Sequence, residues 1–251
     1  MILQNWSNRD KAILVSLFLS KFDRDAINNL GFSNFTEAFN VIGFTLETKP
    51  MSIKNYRDEF DPYFSNNRVG RHNRNMRPNC AKIYEGFKDL SFKEFAKIVL
   101  ETLQLQDDLR DFNISTYEAE SFDNQAFAKR LITGKAAEEY FRLKYKDISI
   151  FENYELIDTT QNGCGFDFKL RKEDSFWGIE VKGISNRTGG VQMTEKEYKV
   201  AQLLKNQYCL FVVKNFQEIP FHEYFINPTN GNLNITPVER TVKQVSWNVH
   251  V

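Results

Sequence analysis

The sequence predicts a mixed α/β (α+β) chain, with a helical first half and a second half in which strands and helices alternate. Three observations predict it. Through the first half, apolar residues recur at helical spacing behind capping residues. The second half reads helix, strand, strand, strand, helix, strand. Between them, residues 105–123 are polar and acid-rich, which marks a linker. At 251 residues the chain has room for two domains of ordinary size, expected at 1–115 and 120–251.

In order, Asp10 or Asn8 caps a helix over 11–21, whose Ile13, Leu14, Leu17 and Phe18 form one apolar stripe. Asn34 or Thr36 opens a second helix through Ile42, ended by Gly43, and Ser52 opens a third through Phe60. Two helices joined in this way outline a helix-turn-helix unit, although the 44–51 connection exceeds the usual turn. In such a unit Lys54 and Arg57, one turn apart, would face DNA; a helical bundle with a solvated basic face is the alternative. Helices follow over 82–87 and 91–103, the latter with a Ser91/Glu94 capping box. The second half begins with a helix over 124–146, then an apolar first strand at 148–151 and a hairpin within 165–183. A Thr194/Glu197 capping box opens a helix over 194–206, and a buried strand follows at 207–213. More strand-like sequence follows Pro220, up to a turn at Asn227-Pro228-Thr229-Asn230-Gly231.

Lysine plus arginine equals aspartate plus glutamate, at 33 each, so any attraction to nucleic acid has to be local. One stretch qualifies. Arg68, Arg71, Arg74 and Arg77 recur every third residue between Asn66 and Pro78, with no acidic residue among them. Arginine suits bidentate phosphate contacts, so this run is the expected nucleic-acid contact, with binding that weakens steeply in salt. Cys80, Cys164 and Cys209 are odd in number and unrelated in spacing, which argues against a zinc site or disulfide framework and suits a reducing cytoplasm. No basic leader precedes an apolar run, and no stretch approaches the ~18 apolar residues of a membrane span. A cytoplasmic location with no membrane partner is expected.

The chemistry concentrates in the hairpin Gly165-Phe166-Asp167-Phe168-Lys169-Leu170 and Trp177-Gly178-Ile179-Glu180-Val181-Lys182-Gly183. Strand side chains alternate faces, so Glu180 and Lys182 share one face while Ile179 and Val181 take the other. With the turn at 172–175, Arg171 faces Phe176, and counting outward sets Asp167 opposite Glu180, at a Cβ separation of ~4.5–5.5 Å. Two carboxylates so close repel unless a cation lies between them, and a hard divalent ion with oxygen ligands is the natural one. Asp167, Glu180 and the Val181 carbonyl are the expected ligands of Mg²⁺, with Mn²⁺ as an alternative. Two other Glu-x-Lys tripeptides occur, at Glu47 and Glu197, but only the one at Glu180 sits in a strand. An exposed cross-strand charge pair is the alternative at the hairpin. On the preceding helix, Glu139 has Lys135 and Arg142 at ion-pair spacing, whereas Glu138 borders the stripe of Ala137, Phe141 and Tyr145 and is expected to point inward.

The succession Gly134-Lys135-Ala136-Ala137-Glu138, Gly165-Phe166-Asp167, Ile179-Glu180-Val181-Lys182-Gly183, Met193-Thr194-Glu195-Lys196-Glu197 and the strand at 208–213 resembles the PD-(D/E)XK nuclease superfamily. More narrowly, residues 120–215 resemble the domain named after the carboxy-terminal region of the plant protein NO VEIN, found in many restriction and phage-defence proteins. The resemblance implies a restriction-endonuclease-like core, with a central mixed sheet flanked by helices. It implies Asp167 and Glu180 as metal ligands, Lys182 as the residue that positions or deprotonates the attacking water, and Glu138 as the helix carboxylate completing the site. The superfamily's proline before the aspartate is Phe166 here. Residues 35–90 also resemble helical amino-terminal regions of restriction enzymes. The expectation is a Mg²⁺-dependent DNA endonuclease of restriction or phage-defence type, acting on double-stranded DNA, with a homodimer wherever both strands are cut together. A non-catalytic DNA-binding or regulatory module with the same fold, and an RNA-directed nuclease, are the alternatives.

Overall fold

A computed structural model describes residues 6–66, 68, 70, 75–103 and 121–239. Among them, seven α-helices and one five-stranded mixed sheet form an α+β fold, with helices first and the sheet after.

Helix α1 (Asn8–Asn29) is capped by Ser7, whose hydroxyl accepts the Asp10 N–H, and it kinks at Asp23, which has φ 47°. The expected stripe is buried, but so are Val15, Ser16, Leu19 and Ser20 on other faces. Helix α3 (Pro50–Phe60), α4 (Pro78–Phe87) and α5 (Phe92–Thr102) pack around α1 and account for this. The buried serines are satisfied: the Ser16 hydroxyl donates to the Ala12 carbonyl at 2.7 Å, and that of Ser20 to the Asp61 carboxylate at 2.6 Å.

Helix α2 (Phe35–Thr45), capped by Asn34, continues past Gly43 instead of ending there. That glycine serves close packing: a Cβ on it would lie 2.8 Å from the Pro50 Cα. Proline at the first position of α3 supplies the start expected of Ser52. The connection is thus only 46–49, the length usual between the helices of a helix-turn-helix unit. The α5 capping box of Ser91 and Glu94 forms as expected.

Of the expected 105–123 linker, residues 105–120 lie outside the described residues, while 121–123 belong to α6 (Ser121–Lys144). The apolar 148–151 segment is a turn and not a strand; Ile148 and Phe151 are buried beneath it, which explains their apolar character. The first strand is instead β1 (Glu155–Asp158). The others are β2 (Phe168–Lys172), β3 (Ser175–Gly183), β4 (Tyr208–Lys214) and β5 (Phe221–Ile226), in spatial order β1-β2-β3-β4-β5. Only β3 and β4 are parallel, and α7 (Glu195–Leu204) is the crossover that parallel strands require. The β2–β3 hairpin takes the register counted from the sequence, with Arg171 opposite Phe176, though Lys172 and Ser175 also pair and leave Glu173 and Asp174 as the turn.

Helix α6 covers one face of the sheet. Its Phe141 ring lies 5.3 Å from that of Phe168 and 4.9 Å from that of Phe211. Its other side meets α2, and one buried apolar cluster runs from α1 through α6 to β4. No helix among the described residues is long and apolar enough to cross a membrane.

Candidate active site

Strand β3 has neighbours on both sides, so a carboxylate at its middle is buried; Glu180 is only 3% exposed. Two residues on, Lys182 shares its face, and its Nζ lies 2.5 Å from Glu180 Oε1. Asp167 stands one residue before β2. Its N–H donates to the Ile179 carbonyl, its own carbonyl accepts the Thr159 N–H, and its carboxylate accepts the Val181 N–H at 2.8 Å. The described pairing ends at Phe168 opposite Ile179, and Asp167 follows directly, next to Glu180 as counted. The hairpin thus brings together Asp167, Glu180 and Lys182.

Glu138 reaches this end of the sheet because α6 lies almost in contact with β3. A Cβ on Gly183 would sit 2.8 Å from the Thr133 carbonyl oxygen and 3.2 Å from the Ala137 Cβ, so only glycine lets the helix approach. The next residue after Ala137 is Glu138, which feels the charges of Asp167 and Asp158. Glu139 pairs with Arg142 at 3.6 Å as its spacing predicts, but it is half-buried and not on the exposed face expected of it, and burial raises its pKa.

Electrostatic conflict marks the cluster. Burial, then the charge of Asp167, pushes Glu180 up to about 9 against the pull of Lys182. Burial and Asp167 also push Glu138 up to about 7, and burial holds Asp167 above the usual aspartate range despite the Val181 hydrogen bond. Lys182, with two carboxylates at hand, is held above the usual lysine range although burial acts the other way. Three carboxylates with raised pKa values at one end of a sheet are a pattern typical of functional sites.

Four participants escaped the sequence reading. Glu197 belongs to a helical Glu-x-Lys, a spacing that does not place its two charges on one face, yet its Oε2 lies 2.9 Å from Lys182 Nζ while accepting the Thr194 N–H at 2.9 Å. The capping box was the available signal: a capping glutamate reaches back toward the helix start, here toward the chain leaving Lys182. Asp158, at the end of β1, pairs with Arg142, whose guanidinium also lies 4.6 Å from the Phe168 ring centre. The Tyr208 hydroxyl donates to the Gly165 carbonyl at 3.1 Å, bracing the loop before Asp167. A buried tyrosine needs such an acceptor, but nothing local in the sequence names it.

No three His, Cys, Asp or Glu side chains among the described residues form a ready-made metal cage. The donor chemistry at Asp167 and Glu180 is nevertheless that of a hard cation, since Mg²⁺ is commonly held by one or two carboxylates with water completing its shell. Buried Glu180 and half-buried Asp167, which repel each other, fit such a charge.

The expected nucleic-acid residues are placed differently from the uncompensated run that the sequence suggests. Arg57 is 8% exposed, pairs with Asp58 at 2.9 Å and lies over the Phe35 and Phe39 rings at 4.7 and 4.9 Å. Arg68 bonds Asp61 at 2.8 Å and also pairs with Asp23. Arg77 bonds Glu59 at 2.5 Å and covers Tyr56, while Lys54 pairs with Asp58 at 2.5 Å. The acids come from α1, α3 and the turn after α3, so the expectation of uncompensated charge is corrected at Arg68 and Arg77. Arg71 and Arg74 lie outside the described residues.

Residues 137–226, which hold Glu138, Asp167, Glu180, Lys182 and Glu197, match the family described as Protein NO VEIN, C-terminal. No curated protein and no solved structure matches the chain.

Proposed function

We propose that the chain is a Mg²⁺-dependent endonuclease of the PD-(D/E)XK kind, cutting double-stranded DNA in restriction or phage defence. The observation that carries this reading is the pair of buried Glu180 and half-buried Asp167 with Lys182 against it, at the end of β3 that α6 leaves beside Gly183. Asp167, Glu180 and the Val181 carbonyl would hold Mg²⁺, which when bound lowers the pKa of a water and offsets phosphate charge. The remaining work falls to this chain's own groups. Lys182, fixed by Glu180 and Glu197, presents an ammonium to the scissile phosphate and orients the attacking water. Glu138, with its carboxyl near neutrality in its proton affinity, is suited to hold or release a proton at the same end. Lys54, Arg71, Arg74 and the partly exposed Arg68 and Arg77 would meet the phosphate backbone, with Arg57 holding α3 in place. Two copies acting together would cut both strands.

Purified protein incubated with plasmid and phage DNA should cleave in Mg²⁺ and not in EDTA. Asp167→Ala and Lys182→Ala should each lower cleavage about a hundredfold or more; unaltered cleavage in both would remove the assignment. One observation favours a second reading, a non-catalytic DNA-binding module: the Lys182 ammonium is already engaged by Glu180 and Glu197. Calorimetric titration separates the two, because that module would take up neither Mg²⁺ nor Mn²⁺ with DNA present. Competition with RNA tests whether DNA is the preferred polymer.

A further inference from the structure

One peptide group beside the carboxylates is turned over. Continuing the registers of the sheet sets Asp167 opposite Thr159 on the β1 side, and Phe166 opposite Val181 on the β3 side. In a regular antiparallel ladder the Phe166 carbonyl would accept the Val181 N–H, and the Asp167 N–H would donate to the Thr159 carbonyl. Instead the Phe166 carbonyl accepts the Thr159 hydroxyl at 3.1 Å, and the Asp167 N–H donates to the Ile179 carbonyl at 2.9 Å. These two groups belong to one peptide, whose carbonyl therefore faces β1 where the ladder would aim it at β3. The Val181 N–H loses its backbone acceptor, and the Asp167 carboxylate takes that place at 2.8 Å.

Thr159 meets the turned carbonyl. It is buried, and its N–H donates to the Asp167 carbonyl at 2.9 Å, so its two donors hold the backbone on both sides of the aspartate Cα. The other donor at the Phe166 carbonyl is the Cys164 thiol at 3.4 Å, a weak one. Thr159 is held in turn by the residues around it. One oxygen of Asp158 accepts the Thr160 N–H and hydroxyl at 2.9 and 2.7 Å, and the other lies 2.5 Å from the Arg142 guanidinium of α6. A threonine that only shapes a turn bonds to its own near backbone; this hydroxyl reaches the peptide that sets the direction of Asp167.

We propose that Thr159 is a positioning residue for Asp167: its hydroxyl holds the Phe166–Asp167 peptide turned toward β1 and so keeps the carboxylate on the Val181 N–H, beside Glu180. The consequence for a bound cation rests on the nuclease reading; the backbone link stands apart from it. Without the hydroxyl, a buried carbonyl is left to a weak donor and the peptide is free to return to the ladder, which releases the carboxylate from Val181. Partners that orient a metal ligand in this way typically change metal affinity about 10–100-fold.

Residue-resolved amide exchange on the intact chain tests the link, beside calorimetric titration with Mn²⁺. Thr159→Val replaces the hydroxyl with a methyl group and keeps the N–H, whereas Thr159→Ser keeps both donors. Thr159→Val should speed exchange of the Val181 N–H about tenfold, with the amides of β4 unchanged. It should also weaken Mn²⁺ binding about tenfold or more, and Thr159→Ser should stay near the wild type in both measurements. Unaltered exchange at Val181 in Thr159→Val, or exchange accelerated equally throughout the sheet, would overturn the proposal. So would a Thr159→Ser that behaves as Thr159→Val, or an unaltered Mn²⁺ affinity in Thr159→Val when the wild type binds the ion. A wild type that takes up no Mn²⁺ and cleaves nothing would remove the nuclease reading alone, and exchange at Val181 would still decide the role of Thr159.

Discussion

Glu180 ties stability to pH in a direction set by its surroundings. Its folded pKa is raised from an ordinary 4.5 to about 9, so the folded chain keeps a proton that the unfolded chain releases. The stability held by that proton is complete below about pH 4.5 and is lost as pH rises through about 9. Without metal, the melting temperature should therefore fall steadily across that range, and Glu180→Gln should flatten the slope. Mg²⁺ added at alkaline pH should raise the melting temperature of the wild type and leave Glu180→Gln unmoved; equal shifts in both would disconnect Glu180 from the cation. Glu197 is separable from its capping role by a smaller change. Glu197→Gln retains an acceptor for the Thr194 N–H but replaces the carboxylate that meets Lys182 beside Glu180 with a neutral amide. Cleavage about tenfold slower at an unchanged melting temperature is expected, as for groups that orient a reacting side chain. A loss of stability with normal turnover would make Glu197 a cap and nothing more.

At the scale of elements, the approach of α6 to β3 depends on one missing methyl group. Alanine at Gly183 would bring a Cβ within 2.8 Å of the Thr133 carbonyl, so the helix must move outward and carry Glu138 with it. Gly183→Ala should cost about 1–3 kcal/mol in urea unfolding and should slow cleavage, while Gly86→Ala, where a Cβ meets open space, should do neither. A silent Gly183→Ala would mean that the helix carboxylate is not part of the site. The helices and the hairpin were readable at this scale because their signals are local. Ser91 with Glu94 and Thr194 with Glu197 close as capping boxes, and Arg171 opposite Phe176 follows from the turn. The strand expected at 148–151 failed for a physical reason: Ile148 and Phe151 are buried, Phe151 against the rings of Trp177 and Tyr224 on the sheet, and burial by itself does not distinguish a turn from a strand.

For the whole molecule, the buried cluster that crosses from α1 to β4 through α6 implies that the helical half and the sheet unfold together. Buried polar ties add to it, among them the Thr45 hydroxyl donating to the Ile132 carbonyl at 3.2 Å and Asn40 donating to the Phe216 carbonyl. Calorimetry should give a single transition whose van't Hoff and calorimetric enthalpies agree. Two resolved transitions would instead mean that the halves are energetically independent units. The balanced net charge fits the same picture, since the acids of α1, α3 and the turn after it neutralise arginines that lie beyond them in the chain.

By itself, the sequence determined the periodicities, the caps, the hairpin register and hence the meeting of Asp167, Glu180 and Lys182, because backbone hydrogen bonding and side-chain alternation act between near neighbours in the chain. Only the tertiary structure decided which charge meets which: Arg68 with Asp61 and Asp23, Lys182 with Glu197, Glu37 with Lys129. Coulomb attraction and desolvation depend on distance through space, and for partners on different elements no local pattern encodes that distance.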